Sequence, residues 1–199
     1  MTGSVPFPLR LGRRSAIAGL GAACTLAAAR RARASDLDTL SDALEQVNPP
    51  TIPPSFSFQT ATGARQTLAD YRGRGLVLNI WATWCGPCVA EMPALDALAA
   101  RVAPFDILVL PVSIDQQGLA AVKPFYGTHG IAHLPILLDP DGDVARAFKV
   151  QGIPTSFLVD RFGRVVGTVE GPVQWDSAGA IATIRGLIGP GLSVQTQSG

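Results

Sequence analysis

The sequence predicts an α/β domain: a mixed β-sheet flanked by helices on both faces, with a β-hairpin added at its N-terminal end. Three observations carry that prediction. Short apolar runs of the kind a buried strand gives alternate with stretches whose apolar residues recur at threes and fours. The last third of the chain ends in a hairpin and a helix, so the sheet must hold antiparallel as well as parallel pairs. A chain of 199 residues, 47% hydrophobic and 16% charged, is long enough for one well-buried domain with extra length at its ends.

Taken in order, Asp36 to Val47 has helical spacing in Leu37, Leu40, Leu44 and Val47. Asn48-Pro-Pro-Thr-Ile-Pro-Pro54 cannot continue a helix. Residues 35–54 therefore read as a proline-rich linker, residues 55–190 as the domain, and 191–199 as a flexible tail. Phe56 and Phe58 alternate with serines, Thr62-Gly63 makes a turn, and Arg65 to Thr67 can return, which gives the hairpin. Leu76-Val-Leu-Asn-Ile80 is a buried strand. Val89, Met92, Leu95, Leu98 and Val102 then set a helix from about Gly86 to Arg101, with Pro93 expected to kink it. Ile107 to Val112 is a strand and Gly118 to His129 a helix with Leu119, Val122 and Phe125 on one face. Leu134 to Leu138 and Ser156 to Val159 read as strands around a short helix, Val144 to Phe148. Val165 to Val169 pairs back through the turn at Arg161-Phe-Gly163, and Ser177 to Ile188 is the closing helix.

Charge is distributed unevenly. Residues 1–34 contain six arginines and no acid, so the remainder is net negative although the whole chain has a formal charge of +1. No basic face is left to attract nucleic acid. The arginine-rich start reads as an address. Arg13-Arg14 precedes a weakly apolar run, Ile17 to Ala29, which is shorter than the roughly 20 residues a spanning helix needs. Ala32-Arg33-Ala34 then offers small residues for signal cleavage before Ser35. The run resembles a twin-arginine export signal, although Ala16 stands where that signal carries Phe or Leu. An uncut N-terminal anchor and lipidation at Cys24 are the other two readings. All three place the folded part outside the cytoplasm and leave Cys85 and Cys88 as its thiols.

Those two cysteines stand in Trp81-Ala-Thr-Trp-Cys-Gly-Pro-Cys-Val-Ala-Glu-Met-Pro93. Cys85 follows a buried strand and opens a helix, where unpaired N–H groups and the positive end of the helix dipole favour thiolate, the nucleophilic form. Cys88 lies one turn on, shielded by the helix, which suits a resolving role. Pro87 sits in the first turn, where its missing N–H costs little, and Gly86 leaves the approach to Cys85 open.

With Leu78-Asn-Ile80 ahead of it, this string is similar to the TlpA/ResA-like branch of exported thiol–disulfide oxidoreductases in the thioredoxin superfamily. Leu110-Pro-Val-Ser-Ile-Asp115 resembles that family's second core strand, and Gly152-Ile-Pro-Thr-Ser-Phe-Leu-Val-Asp-Arg-Phe-Gly-Arg164 its proline loop and following hairpin. The resemblance covers roughly residues 55 to 190. It implies a thioredoxin-like fold, a redox-active Cys85–Cys88 disulfide in place of any cofactor, and a cis Ile153–Pro154 bond beside the sulfurs. It implies that Cys85, Cys88 and Pro154 carry the exchange and that Trp84, Gly86, Pro87, Ile153 and Thr155 frame the surface met by substrate. Asn79 stands where cytoplasmic thioredoxins keep a buried aspartate. The nearest carboxylate to Cys88 is then Glu91, either a proton acceptor tuning Cys88 or a solvated acid favoured near a helix start. The family further implies a periplasmic monomer acting on protein disulfides, among them those of apocytochrome c or copper-delivery proteins. It implies electrons from a membrane donor of the DsbD/CcdA kind and, if the leader stays uncut, membrane attachment.

Competing uses of the two thiols are weaker. Cys85-x2-Cys88 and His129-x3-His133 have zinc-ligand spacings, but the pairs lie much further apart than the about 12 to 15 residues of a finger. No metal site is expected from them. A Cu(I) chaperone using the two thiols alone is the alternative, since soft thiolates suit Cu(I). A bridge across two residues closes little chain and stabilises little, and no further cysteine of the domain is present to act as a separate peroxidatic centre.

Overall fold

A computed structural model describes Met1 and residues 39–189. The leader over 1–34, Met1 aside, and the tail over 191–199 lie outside those residues.

A short helix, α1 (Leu40–Ala43), leads into β1 (Leu44–Thr51), and the hairpin β2 (Phe58–Thr60) and β3 (Arg65–Gln66) follows. Then come β4 (Gly75–Trp81), α2 (Gly86–Val102), β5 (Ile107–Ser113), α3 (Leu119–His129), β6 (Leu137–Leu138) and α4 (Asp143–Ala147). The chain closes with β7 (Thr155–Val159), β8 (Val165–Glu170) and α5 (Ala178–Ile188). The strands form one sheet in the order β1-β8-β7-β4-β5-β6-β2-β3. Pairs β4–β5 and β5–β6 are parallel and the others antiparallel, the mixed sheet the element order requires.

β4 lies at the centre, and every one of its residues is buried. Successive side chains of a strand point to opposite faces, so its run feeds two cores. Val77 and Trp81 pack with Leu95 and Leu98 of α2 and Ile184 of α5, while Leu76, Leu78 and Ile80 pack with Phe58, Leu110, Val144 and Phe157. α2 runs on through Pro93 to Val102. α3 ends at Gly130, whose φ of 65° is a conformation glycine adopts without cost, and its N–H returns to the Tyr126 carbonyl. Among the described residues no helix is long and apolar enough to cross a membrane.

Two stretches depart from the sequence reading. Residues 39–54 do not form a linker, and the predicted Asp36–Val47 helix gives way at Leu44, where the described residues pass from α1 into β1. Leu40 is 1% exposed in the core, and β1 pairs antiparallel with β8 from Leu44 opposite Val169 to Gln46 opposite Gly167. Leu44 lies over Gly167, where an added Cβ would meet its Cδ1 at 2.8 Å. The prolines that argued for a tether are tolerated because an edge strand has one row of backbone groups with no neighbour to serve. The register shifts across them before Thr51 rejoins Val165. The predicted strand Leu134–Leu138 also shortens, to Leu137–Leu138, since the amides of Ala132, His133 and Leu134 all donate to the Asp96 carboxylate instead of to a neighbouring strand.

Candidate active site

The C-terminal end of β4 delivers the chain to the N-terminus of α2, and Cys85 occupies the cap position there. Its sulfur accepts a hydrogen bond from the Cys88 N–H at 3.2 Å, one of the donors a helix start leaves without an intrahelical partner. Cys85 and Cys88 are joined as a disulfide. Cys85 is 6% exposed and Cys88 fully buried, so an incoming thiol or disulfide meets Cys85 first. Trp84, 67% exposed, stands before it, and Gly86 and Pro87 are exposed on the other side. Ile153–Pro154 is a cis peptide bond, and the Ile153 carbonyl oxygen lies 3.6 Å from the Cys85 sulfur. Cys85, Cys88, Trp84, Gly86, Pro87, Ile153 and Pro154 are therefore brought to one end of the sheet. Thr155 is a correction: it is 4% exposed, its hydroxyl bonds the Gly152 carbonyl at 2.7 Å, and it shapes the loop from within instead of facing a partner.

One helical turn past Cys88 on α2 comes a carboxylate. Glu91 has no solvent exposure, which removes the solvated reading. One oxygen, Oε1, accepts from Asn79 Nδ2 at 2.9 Å; the other, Oε2, accepts from Trp175 Nε1 at 2.9 Å and from the Val173 amide at 3.3 Å. The second amide proton of Asn79 goes to Ser156 Oγ at 2.9 Å, as the pairing of Asn79 with Ser156 across β4 and β7 allows. Burial pushes the Glu91 carboxyl up to about 7, while the donated hydrogen bonds pull it the other way. At neutral pH the group is thus poised to take or give a proton. An acid raised in the folded state stabilises the fold below its ordinary value of 4.5, and that stability is lost as the pH rises through about 7. The difference is about 3 kcal/mol. Glu91→Gln is accordingly expected to lack the corresponding fall in unfolding free energy between pH 5 and pH 8 that the natural protein shows in denaturant titrations; parallel curves would mean that Glu91 does not titrate in this window.

The approach to Cys85 is braced by a second network. The Asp115 carboxylate accepts from the Thr83 amide at 2.9 Å, the Thr83 hydroxyl at 2.7 Å and the Ser113 hydroxyl at 2.7 Å, which ties the turn before Cys85 to the end of β5. The two histidines at zinc-like spacing serve elsewhere. His129 stacks on Phe125 with ring centroids 3.9 Å apart, and His133 Nδ1 lies 2.9 Å from Asp96. Sequence reasoning missed Trp175, Ser156 and Asp115, because each reaches the site from a distant segment. The one available signal was Asn79, a polar residue inside an apolar strand, which required partners.

Residues 51–168 match the AhpC/TSA family. ResA of Bacillus subtilis strain 168, a thiol–disulfide oxidoreductase, is 31% identical over 147 residues, which cover 74% of this chain and 79% of ResA. Among solved structures, a thiol:disulfide interchange protein of the thioredoxin family from Chlorobium tepidum superposes with a TM-score of 0.58 at 29% identity, covering 72% of this chain and 99% of that one. The exposed lipoprotein thioredoxin Etrx1 from Streptococcus pneumoniae gives 0.57 at 29% identity, covering 67% and 99%.

Proposed function

The chain belongs to the AhpC/TSA family and is a thiol–disulfide oxidoreductase of the thioredoxin fold, and we propose that it works outside the cytoplasm as a reductant of protein disulfides. The observation that carries the reading is the asymmetry of the two sulfurs: Cys85 at the helix start with an N–H on its sulfur, Cys88 buried one turn on, and the buried Glu91 a further turn along the same helix. In the dithiol form the Cys85 thiolate attacks one sulfur of a substrate disulfide; a mixed disulfide forms and the other substrate sulfur leaves as thiolate. Glu91 takes the proton of the Cys88 thiol, and the Cys88 thiolate attacks Cys85. The substrate leaves as a dithiol once its sulfurs are protonated, and two electrons have passed from the protein, which is left as the Cys85–Cys88 disulfide. No cofactor is required beyond that bridge.

The arginine-rich leader and the exposed-lipoprotein description of Etrx1 support a periplasmic or surface location, with the N-terminus either cleaved or serving as the attachment. A reductant in an oxidising compartment needs a source of electrons, for which a membrane thiol donor of the DsbD/CcdA type is proposed. Cysteines of apocytochrome c or of copper-delivery proteins are the proposed targets, and a monomer the proposed working form. Trapping the thiols in freshly quenched cells tests the direction: mostly dithiol supports the reductant, mostly disulfide makes it an oxidant.

Pro154 separates this chemistry from a Cu(I) chaperone. A buried proline next to the sulfurs offers neither N–H nor ligand where further metal ligands would sit. Pro154→Thr is expected to lower reductase activity about tenfold and to let the dithiol protein take up zinc or Cu(I), measured by competition with a chromophoric chelator. Tight two-thiolate Cu(I) binding by the natural protein, without any reductase activity, would make it a chaperone.

A further inference from the structure

We propose that Trp175 is a positioning residue for proton transfer at Cys88, its indole N–H and the neighbouring Val173 amide holding Glu91 as an oriented carboxylate. The inference rests on the reading that Glu91 takes the Cys88 proton. The segment that carries both donors is fixed at each end. The Gly171 amide bonds the Pro154 carbonyl at 2.9 Å, and Ser177 caps α5 by accepting from the Ala180 amide at 3.0 Å. Trp175 itself has no solvent exposure.

The two carboxylate oxygens are not equivalent. Oε2 has two donors, Trp175 and Val173, and each oxygen of a carboxylate has two lone pairs, so its acceptor capacity is filled. Oε1 has one donor, Asn79, and retains the lone pair that an arriving proton needs. An indole N–H can only donate and does not titrate in the physiological range, so it favours the ionised form without competing for the proton. Trp81 shows the contrast: its buried indole N–H has no hydrogen-bond partner among the described residues.

Few other groups can account for a pH response here. From α2 the neighbouring titratable group is the Cys88 sulfur, and Asp96, further along, is engaged by His133. β4 and β7 contribute the uncharged Asn79 and Ser156. The segment after β8 contributes no charge before Asp176, which lies partly exposed.

The chain has just three glutamates, Glu45, Glu91 and Glu170, so carbon-13 NMR of glutamate-labelled protein isolates Glu91. The titration is run on the disulfide form, in which neither cysteine titrates. Trp175→Phe keeps the ring and removes the donor; the Glu91 midpoint is expected to rise by about one pH unit, a tenfold change in proton affinity. Starting from a group near 7, the dithiol enzyme should then reduce a protein disulfide about fivefold more slowly at pH 7 and recover at higher pH. The double variant with Glu91→Gln should match Glu91→Gln alone. An unmoved Glu91 midpoint in Trp175→Phe, with Glu91→Gln still altering the pH–rate profile, overturns this inference alone. An unaltered profile in Glu91→Gln overturns the reading beneath it, and this inference with it. Should Trp175→Phe fail to fold, the natural protein decides: of its three indole N–H proton resonances, that of Trp175 should shift with the Glu91 midpoint, and a pH-independent resonance rejects the proposal.

Discussion

Cys85→Ser is expected to abolish exchange, by at least ~10³-fold in turnover, whereas Cys88→Ser should still attack substrate and remain linked to it as a mixed disulfide. Removing a covalent nucleophile leaves only binding and positioning to act on the reaction. Cys85 has the accessible edge and the backbone N–H; Cys88 is closed off by its own helix and the sheet. Losing Cys88 therefore spares the first step and blocks the second. Mass spectrometry of non-reduced complexes distinguishes the two variants. Iodoacetamide at about pH 7, where a thiolate of depressed pKa reacts first, should label Cys85 ahead of Cys88 in the reduced protein. Faster labelling of Cys88 would reverse the assignment.

A chain that begins at Ser55 is expected to be much less stable than one that begins at Ser35. The shorter chain lacks Leu40, 1% exposed in the core, and the whole ladder between β1 and β8. Emptying one buried leucine site costs about 2–5 kcal/mol. Leaving the backbone of β8 without its neighbour and uncovering Leu44's place over Gly167 add to that. For a domain of this size a loss on the order of 4 kcal/mol lowers the thermal midpoint by roughly 10 °C. Equal midpoints for the two chains would return residues 35–54 to the status of a tether.

The contrast between these two predictions shows what a sequence displays. Cys85 and Cys88 announce themselves because strand, cap and helix are contiguous: the run into Trp81, the spacing after Cys85 and Pro87 in the first turn all lie within one stretch. β4, β5, β7 and β8 are legible for the same reason, since each carries its own apolar pattern. β1 is not, because only Leu44 and Val47 are even partly buried along it. An edge strand needs little hydrophobic patterning when its backbone pairs with a neighbour, and its prolines point the reader elsewhere. Glu91 shows the same limit at the site. Its neighbours in the sequence describe a helix near its start, where an acid is ordinary. The partners that make it unusual come from Asn79, 12 residues before it, and Trp175, 84 residues after. The fold creates that cluster by bringing the segment between β8 and α5 against α2 and β4.

The two ends of the sheet have a consequence for behaviour in a crowd. β1 carries Pro49 and Pro50, which have no N–H to offer, and at the opposite edge β3 is only two residues long. A long, regular edge is a template on which a foreign extended chain can crystallise into cross-strand pairing, and prolines and short strands blunt it. An enzyme that exchanges disulfides with proteins meets whatever extended chains they present. Its sheet offers them little to add onto, so it can grip a client through a sulfur without seeding its aggregation.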